Sequence, residues 1–334
     1  MSALRNNSRL TLAILGCGNM GIAILRGVVT SQHSASSQPS HDSAARPPPP
    51  PFFFTRFIAC VNRPESVVAL QHKVSELGPL PSTAAAIDVW QGRTLEAVQA
   101  ADVILLSCQP SQASGILAGP EMARALSGKV LLSICVGLSL PQLEALIHYP
   151  DDQDQQQQQR LPRCVLVHAM PNTASTIRES STIISHYPSQ TGSSSSKTTS
   201  DDLAEHIFSS IGKVIHVPST LMPAASVTAA STPAFFTLAL QGVIDGAVAK
   251  GISREDATIM AAQAMKGTAG MVLAGESPQE VMEKVMTPKG CTERGVHVLQ
   301  GAGVDGVYAD ATRTGIERVF EMSREREMKA AGKS

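Results

Sequence analysis

The chain has no excess of either charge: 27 Lys and Arg stand against 28 Asp and Glu, for a formal net charge of -1. No basic cluster interrupts that balance, so nothing offers the electrostatic footprint that a phosphate backbone requires, which argues against nucleic acid as a partner. Its six cysteines, Cys17, Cys60, Cys108, Cys135, Cys164 and Cys291, include no C-x-x-C pair and mostly lie inside apolar, strand-like runs. They read as buried reduced thiols in an intracellular protein, with neither a disulfide framework nor a metal site. No signal-peptide pattern precedes the first predicted strand, and no apolar run reaches the length of a bilayer crossing. The expectation is a soluble, cytoplasmic protein with no membrane partner.

What is present suits two domains, since 334 residues with 43% hydrophobic content can bury substantial cores. Three segments stand outside those cores by composition. Ser31–Pro51 is rich in Ser, Gln and Pro, Asp151–Arg160 is an Asp/Gln tract, and Ser189–Ser200 is mostly Ser and Thr. Each lacks the apolar residues needed to pack, and each is expected to be a disordered loop expansion.

Near the N-terminus a short apolar strand, Leu12–Leu15, runs directly into Gly16, Gly18 and Gly21, with an apolar helical pattern over Ile22–Val29. This is G-x-G-x-x-G spacing in its confirming context. The glycines allow a tight turn, backbone approach to a pyrophosphate and close helix–strand packing, which sets Gly16, Gly18, Asn19, Met20 and Gly21 against a dinucleotide. Further β-branched runs follow at Phe57–Val61, Val103–Ser107, Val130–Cys135, Val165–His168, Thr182–Ser185 and Lys213–Val217, separated by helical patterns. Such alternation predicts an α/β fold with a Rossmann-type, doubly wound parallel sheet.

The second strand bears on which dinucleotide is bound. An NAD site normally ends that strand with Asp or Glu, whereas here it ends Val61-Asn62-Arg63-Pro64-Glu65. Asn62 can hydrogen-bond the ribose and Arg63 can pair with a 2′-phosphate, which favours NADPH. The competing assignment leaves Arg63 in solvent and gives the ribose to Glu65, with NADH as cofactor.

From about Thr220 the alternation stops and helical patterns take over, dividing the chain into a Rossmann domain at 1–219 and a helical domain at 220–334. Ser231-Thr232-Pro233 predicts a capped helix through Lys250, closed by Gly251. Ser253 starts the next, to about Leu273, and Ser277-Pro278 with Glu280 starts a short third. Two more helical stretches are expected at Glu293–Leu299 and Gly306–Met328. Between the third helix and the first of these stretches, and running into it, stands Thr287–Gly295, TPKGCTERG, a turn whose backbone amides at a helix start favour an anion.

Five elements now occur in an order that resembles pyrroline-5-carboxylate reductases: LAILGCGNMG, Cys108-Gln109-Pro110 after a strand, Met170-Pro171-Asn172-Thr173, Pro233-Ala234-Phe235 and TPKGCTERG. The resemblance spans nearly the whole chain apart from the three low-complexity segments. It implies reduction of 1-pyrroline-5-carboxylate to L-proline by NADPH, and a helical C-terminal dimerisation domain in a homodimer or higher homo-oligomer. By position it also implies that Lys289, Gly290 and Cys291 hold the substrate carboxylate through backbone amides. Thr292 falls on a threonine whose hydroxyl reaches the ring nitrogen. A neutral threonine is a weak acid, so Thr292 is foremost a positioning donor, and it is also a candidate N-cap for the helix from Glu293. Gln109, Pro110, Met170, Pro171 and Asn172 would lie along the cofactor.

The chain departs from the family's pattern at several of these places. Gln109 replaces a lysine, His168-Ala169 stands where an arginine is common, Ala230-Ser231-Thr232 replaces Gly-Ser-Gly, and Lys289 replaces a glycine. A paralogue reducing another cyclic imine acid, or a non-catalytic NADPH-binding sensor or scaffold, fits those departures. A 3-hydroxyacid dehydrogenase fits less well, because its catalytic lysine needs an asparagine four residues on. Lys250 and Lys266 are followed there by Arg254 and Gly270.

Overall fold

The computed structural model describes residues 9–37, 52–77, 86–147, 162–186 and 199–330. It divides into two compact units, 1–230 and 231–334. The first is built on an eight-stranded sheet of order β3-β2-β1-β4-β5-β6-β7-β8. The strands are β1 Leu10–Leu15, β2 Phe54–Val61, β3 Ala86–Gln91, β4 Val103–Leu106, β5 Val130–Ser133, β6 Val165–Met170, β7 Ser180–His186 and β8 Gly212–Pro218.

The central strands are continuous apolar runs because both faces of the sheet are covered. Leu12, Ile14, Val103, Leu105 and Leu132 point to one face, where they pack with the helices Asn19–Ser37 and Thr199–Ser209. Ala13, Leu15, Ile104, Leu106 and Leu131 point to the other, beneath the helices Thr94–Ala100, Pro110–Leu117, Pro120–Leu126 and Leu140–Leu146. The sheet is therefore doubly wound as expected, with the order reversing between β1 and β4.

Three features differ from expectation. The sheet is parallel except between β6 and β7, which pair antiparallel. The connection is a tight 3-10 turn at Thr173–Ile177, too short for the crossover that a parallel return needs. β3 carried no clear apolar run: it is an edge strand, AIDVWQ, in which Asp88 pairs with Arg56 of β2 at 2.7 Å. Finally, residues 31–37 continue the helix from Asn19, and Thr199 and Ser200 open the helix Thr199–Ser209. The rest of the low-complexity segments, at 38–51, 151–160 and 189–198, lies outside the described residues.

The helix Met222–Ser226 packs with the sheet unit, where Met222 and Ala229 join Met170 and Ile183 in a small apolar cluster. A π-helical turn, Val227–Ser231, follows. Ser231 is consequently not an N-cap, because its φ of -93° and ψ of -33° are already helical and its side chain makes no capping bond.

The second unit consists of the helices Thr232–Val248, Arg254–Leu273, Pro278–Val285, Cys291–Gly301 and Val304–Ala330. Their ends follow local chemistry. Gly251, at φ +96°, closes the first with paired bonds from Gly251 N–H to Val248 O and from Ile252 N–H to Ala247 O, a Schellman arrangement. Ser253 and Ser277 accept from the amides of Asp256 and Glu280. The core of this unit is small: Ile244, Ala257 and Ala261 are its buried cluster, flanked by Leu240, Ala247 and Val248. Large side chains such as Leu238, Val243, Ile259 and Leu273 are exposed.

The helical stretch Ser219–Val248 has a mean hydropathy of 1.4 over its best window and is long and apolar enough to cross a membrane. This corrects the expectation that no segment reaches that length. Small and hydroxyl residues break up its apolar runs in the sequence, yet it carries almost no charge.

At the start of β2, the buried Gln32 side chain donates to Phe54 O at 3.1 Å and accepts from Phe54 N–H at 2.9 Å. Gln32→Leu would strand both groups, and should lower unfolding free energy by roughly 2–4 kcal/mol in denaturant titrations. A loss below about 1 kcal/mol would mean that water replaces the side chain there.

Candidate active site

The site begins where β1 ends. Gly16 has a φ of +78°, and a Cβ on it would lie 2.7 Å from the Cα of Cys108, so only glycine fits. Gly21 lets the helix sit on the sheet, since a Cβ there would come within 2.9 Å of Ser107 Oγ and 3.1 Å of Ile14 Cγ2. Gly18 differs: the nearest atom to a Cβ would be Gly16 O at 3.9 Å, which leaves open space above it. Within the turn, Gly16 and Cys17 donate to Cys60 O and Gly18 donates to Gly16 O. The first bond closing the helix is Ile22 N–H to Gly18 O at 2.9 Å. The amides of Asn19, Met20 and Gly21 thus open the helix, where no carbonyl of that helix reaches them and an anion is favoured.

Above this turn lies a cleft of about 530 Å³ at the carboxyl ends of β1, β2 and β4, the place where a doubly wound sheet binds ligands. Of the residues set against the dinucleotide, Gly16, Gly18, Asn19, Asn62, Arg63 and Gln109 line it. Four polar lining residues were not anticipated: Ser107 and Gln112, and Ser66 and Lys73 on the helix Pro64–Ser75. Lys73 donates to Asn19 Oδ1 at 2.9 Å, at the mouth of the phosphate turn. Its spacing of seven from Ser66, one helical face, was the available signal. Among the described residues, Arg63 and Lys73 are the charged members of the lining, and no carboxylate is among them. Glu65 is outside it, 3.6 Å from Arg63 Nε. A neighbouring cavity of about 660 Å³ shares Asn62, Gln112 and Ile116, and includes Glu96 and Glu121.

The remaining candidates on this unit lie off the lining. Met20 accepts a hydrogen bond from Ser175 Oγ at 3.1 Å, and Pro110 opens the helix after Gln109. Met170 is buried beneath Met222 and Ala229. Asn172 is buried with its side chain committed: Nδ2 donates to Ala229 O at 2.9 Å and Oδ1 accepts from Ala174 N–H at 3.0 Å. Pro171 is likewise absent from the cleft lining. These positions were placed along the cofactor, but local hydrogen bonding and packing account for Met170 and Asn172. His168, nearby on β6, is kept neutral because burial pushes its pKa down to about 4. Cys17 and Cys60 are buried thiols pushed up to about 12 by the same desolvation.

In the helical unit, Thr287–Gly290 is a turn closed by Gly290 N–H to Thr287 O at 2.9 Å. Lys289 adopts φ +60°, the left-handed position that a type II turn demands after proline and that favours glycine. A Cβ on Gly290 would run into the Thr287 side chain. The helix then starts at Cys291 with Gly290 as its N-cap, so Thr292 is its second residue and not the cap. Glu293 reaches back to accept from Lys289 N–H at 2.6 Å. The amides of Lys289 and Gly290 are therefore engaged within the loop. Those of Cys291, Thr292 and Glu293 open the helix and have no carbonyl of that helix within reach.

Comparison with known proteins agrees with this architecture. Residues 54–137 match the family described as NADP oxidoreductase, coenzyme F420-dependent, and residues 219–322 match pyrroline-5-carboxylate reductase dimerisation. The chain is 40% identical to the pyrroline-5-carboxylate reductase of Lophium arboricola over 93% of both chains. It is also 40% identical to that of Neurospora crassa, over 93% of this chain and 92% of the relative. Among solved structures, a pyrroline-5-carboxylate reductase from Coxiella burnetii shares the fold at a TM-score of 0.72 and 21% identity, covering 95% of this chain and 99% of that one. The fold and its glycine-lined cleft, with these matches, define a Rossmann-type oxidoreductase. Within that class, the chain belongs to the pyrroline-5-carboxylate reductase family.

Two substitutions separate folding from binding at the phosphate turn. Gly16→Ala should cost more than about 2 kcal/mol, from backbone overlap with Cys108 and a left-handed φ. Gly18→Ala should melt with the parent protein yet bind dinucleotide at least about tenfold more weakly in a fluorescence titration. Equal behaviour of the two variants would refute the division of roles.

Proposed function

We propose that the protein reduces 1-pyrroline-5-carboxylate to L-proline with NADPH, the last step of proline biosynthesis. The observation that carries the cofactor assignment is a cleft whose charged lining is Arg63 and Lys73 without a carboxylate, above three helix-opening amides. The amides of Asn19, Met20 and Gly21 take the pyrophosphate in the open space over Gly18. Arg63 and Asn62, at the end of β2, take the 2′-phosphate and ribose. The opposing acid that NADH selectivity would use is missing from the lining.

When bound, the reduced nicotinamide supplies the hydride that the imine carbon accepts. The chain's own part is to hold the substrate and to orient its imine. Cys291 and Thr292 amides at the helix start bind the carboxylate, since the Lys289 and Gly290 amides are spent inside the loop. The Thr292 hydroxyl, half-buried on that first turn, hydrogen-bonds the ring nitrogen and orients the imine. Lys289 adds a cation to the carboxylate side, where its glycine-like backbone leaves the loop's shape unchanged.

The protein acts as a homodimer or higher homo-oligomer in the cytoplasm. The exposed apolar side chains of the helical unit, set against its small buried cluster, support a second copy as the cover for those helices. Sedimentation at micromolar concentration should give a homo-oligomer; a monomer would count against it.

Turnover tests the reaction. Purified protein should oxidise NADPH with pyrroline-5-carboxylate faster than with pyrroline-2-carboxylate or piperideine-carboxylates, and NADPH should outperform NADH. Silence on every imine with NADPH still bound would leave a sensor. Thr292→Ala should lower kcat about tenfold or more with little change in NADPH affinity. Arg63→Ala should raise the KM for NADPH by about ten- to a hundredfold and leave that for NADH nearly constant.

A further inference from the structure

Cys108 and Cys135 stand directly opposite each other just beyond the ends of β4 and β5. The register pairs Val103 with Val130 through Leu106 with Ser133, and the two cysteines continue it two residues further. Adjacent strands lie about 4.8 Å apart, and disulfides span Cα separations of about 4.4–6.8 Å. The two sulfurs are already in contact at 3.8 Å. Closing to a bond length of about 2.05 Å needs only a small side-chain rotation.

Their surroundings differ in a useful way. Cys108 is partly exposed and lines the cleft, so a small oxidant arriving there meets its sulfur first. Cys135 is buried, with its sulfur 3.3 Å from Cys108 O and 3.8 Å from Leu106 O. The hydrogen bond between the thiols shifts acidity between them, raising the Cys108 pKa and lowering that of Cys135. The raised pKa does not itself activate Cys108: access to the cleft makes it the first thiol an oxidant meets, while the lowered pKa suits Cys135 to attack as the resolving thiolate.

We propose that Cys108 and Cys135 form an oxidation-sensitive dithiol, converted to a disulfide by hydroperoxides, that weakens dinucleotide binding in the cleft. The hydroperoxide oxidises the Cys108 thiol to a sulfenic acid, its O–O bond breaking and an alcohol, or water from hydrogen peroxide, leaving. The Cys135 sulfur then attacks that of Cys108, the S–O bond breaks, and water departs with the Cys135 proton. Two thiols and one hydroperoxide give one disulfide, one alcohol and one water. Cys108 packs against the phosphate turn, its Cα 2.7 Å from where a Gly16 Cβ would be, and its side chain lines the cleft, so drawing its sulfur onto Cys135 changes the lining beside that turn. Bound dinucleotide covers Cys108 and protects the pair. The pairing of the thiols stands on geometry alone; its effect on the cleft rests on the cofactor reading above.

The full-length protein treated with tert-butyl hydroperoxide, alkylated and digested without reductant, should yield a Cys108–Cys135 linked peptide by mass spectrometry. Saturating NADP+ should slow its formation. NADPH affinity should fall at least about tenfold on oxidation and return with dithiothreitol. In Cys135→Ala, the same treatment should oxidise Cys108 beyond recovery by dithiothreitol. Recovery of both cysteines as separate alkylated or sulfinic peptides would overturn the pairing, as would fully reversible inactivation of Cys135→Ala. A linked peptide with unchanged NADPH affinity would overturn the gating. Failure of the reduced protein to bind NADPH at all, with the linked peptide still formed, would instead refute the cofactor reading.

Discussion

The approach of the Gly16 backbone to that of Cys108 is the constraint on which the cleft depends. β1 and β4 pair in register from Leu12 with Val103 to Leu15 with Leu106, and beyond that point the two chains must leave in opposite directions. Only a residue without a Cβ lets them part at so short a distance. The helix from Asn19 follows at once, and Gly21 lets it lie close against the sheet. Together these contacts fix where the helix-opening amides stand, so selectivity can be left to the loop after β2, whose residues are exposed and impose little on the fold.

Much of this was legible beforehand because it rests on local chemistry. The glycine spacing, the apolar central strands and the helix ends at Gly251, Ser253 and Ser277 each act over a few residues, whereas the cap expected at Ser231 is replaced by the π-helical turn that runs through it. β3 was not legible, because an edge strand with Asp88 and Gln91 has no apolar run and is recognisable only once Arg56 lies beside it. The reversal at β7 was hidden for a similar reason: it is set by the length of a turn. At the site, Lys73 was missed since its partner, Asn19, is remote in sequence. Asn172 shows the opposite error, where a motif residue spends its side chain on Ala229 and Ala174.

The two units differ in how they reach stability. The sheet unit buries large side chains on both faces, including Phe54, Phe57 and Phe208. The helical unit relies on well-formed helix ends and leaves its aliphatic side chains outward. Its local structure is specified residue by residue, while its own buried cluster of Ile244, Ala257 and Ala261 contributes little hydrophobic stabilisation.

A sheet that ends in an exposed edge strand must be kept from joining other sheets. At the β3 edge, Arg56 pairs with Asp88, and the guanidinium groups of Arg56 and Arg93 lie 5.6 Å and 4.3 Å from the centre of the Trp90 ring. An incoming strand would have to strip these charges from water and from the indole before it could pair. The edge thus works as a barrier to open-ended strand pairing, the contact from which fibres grow.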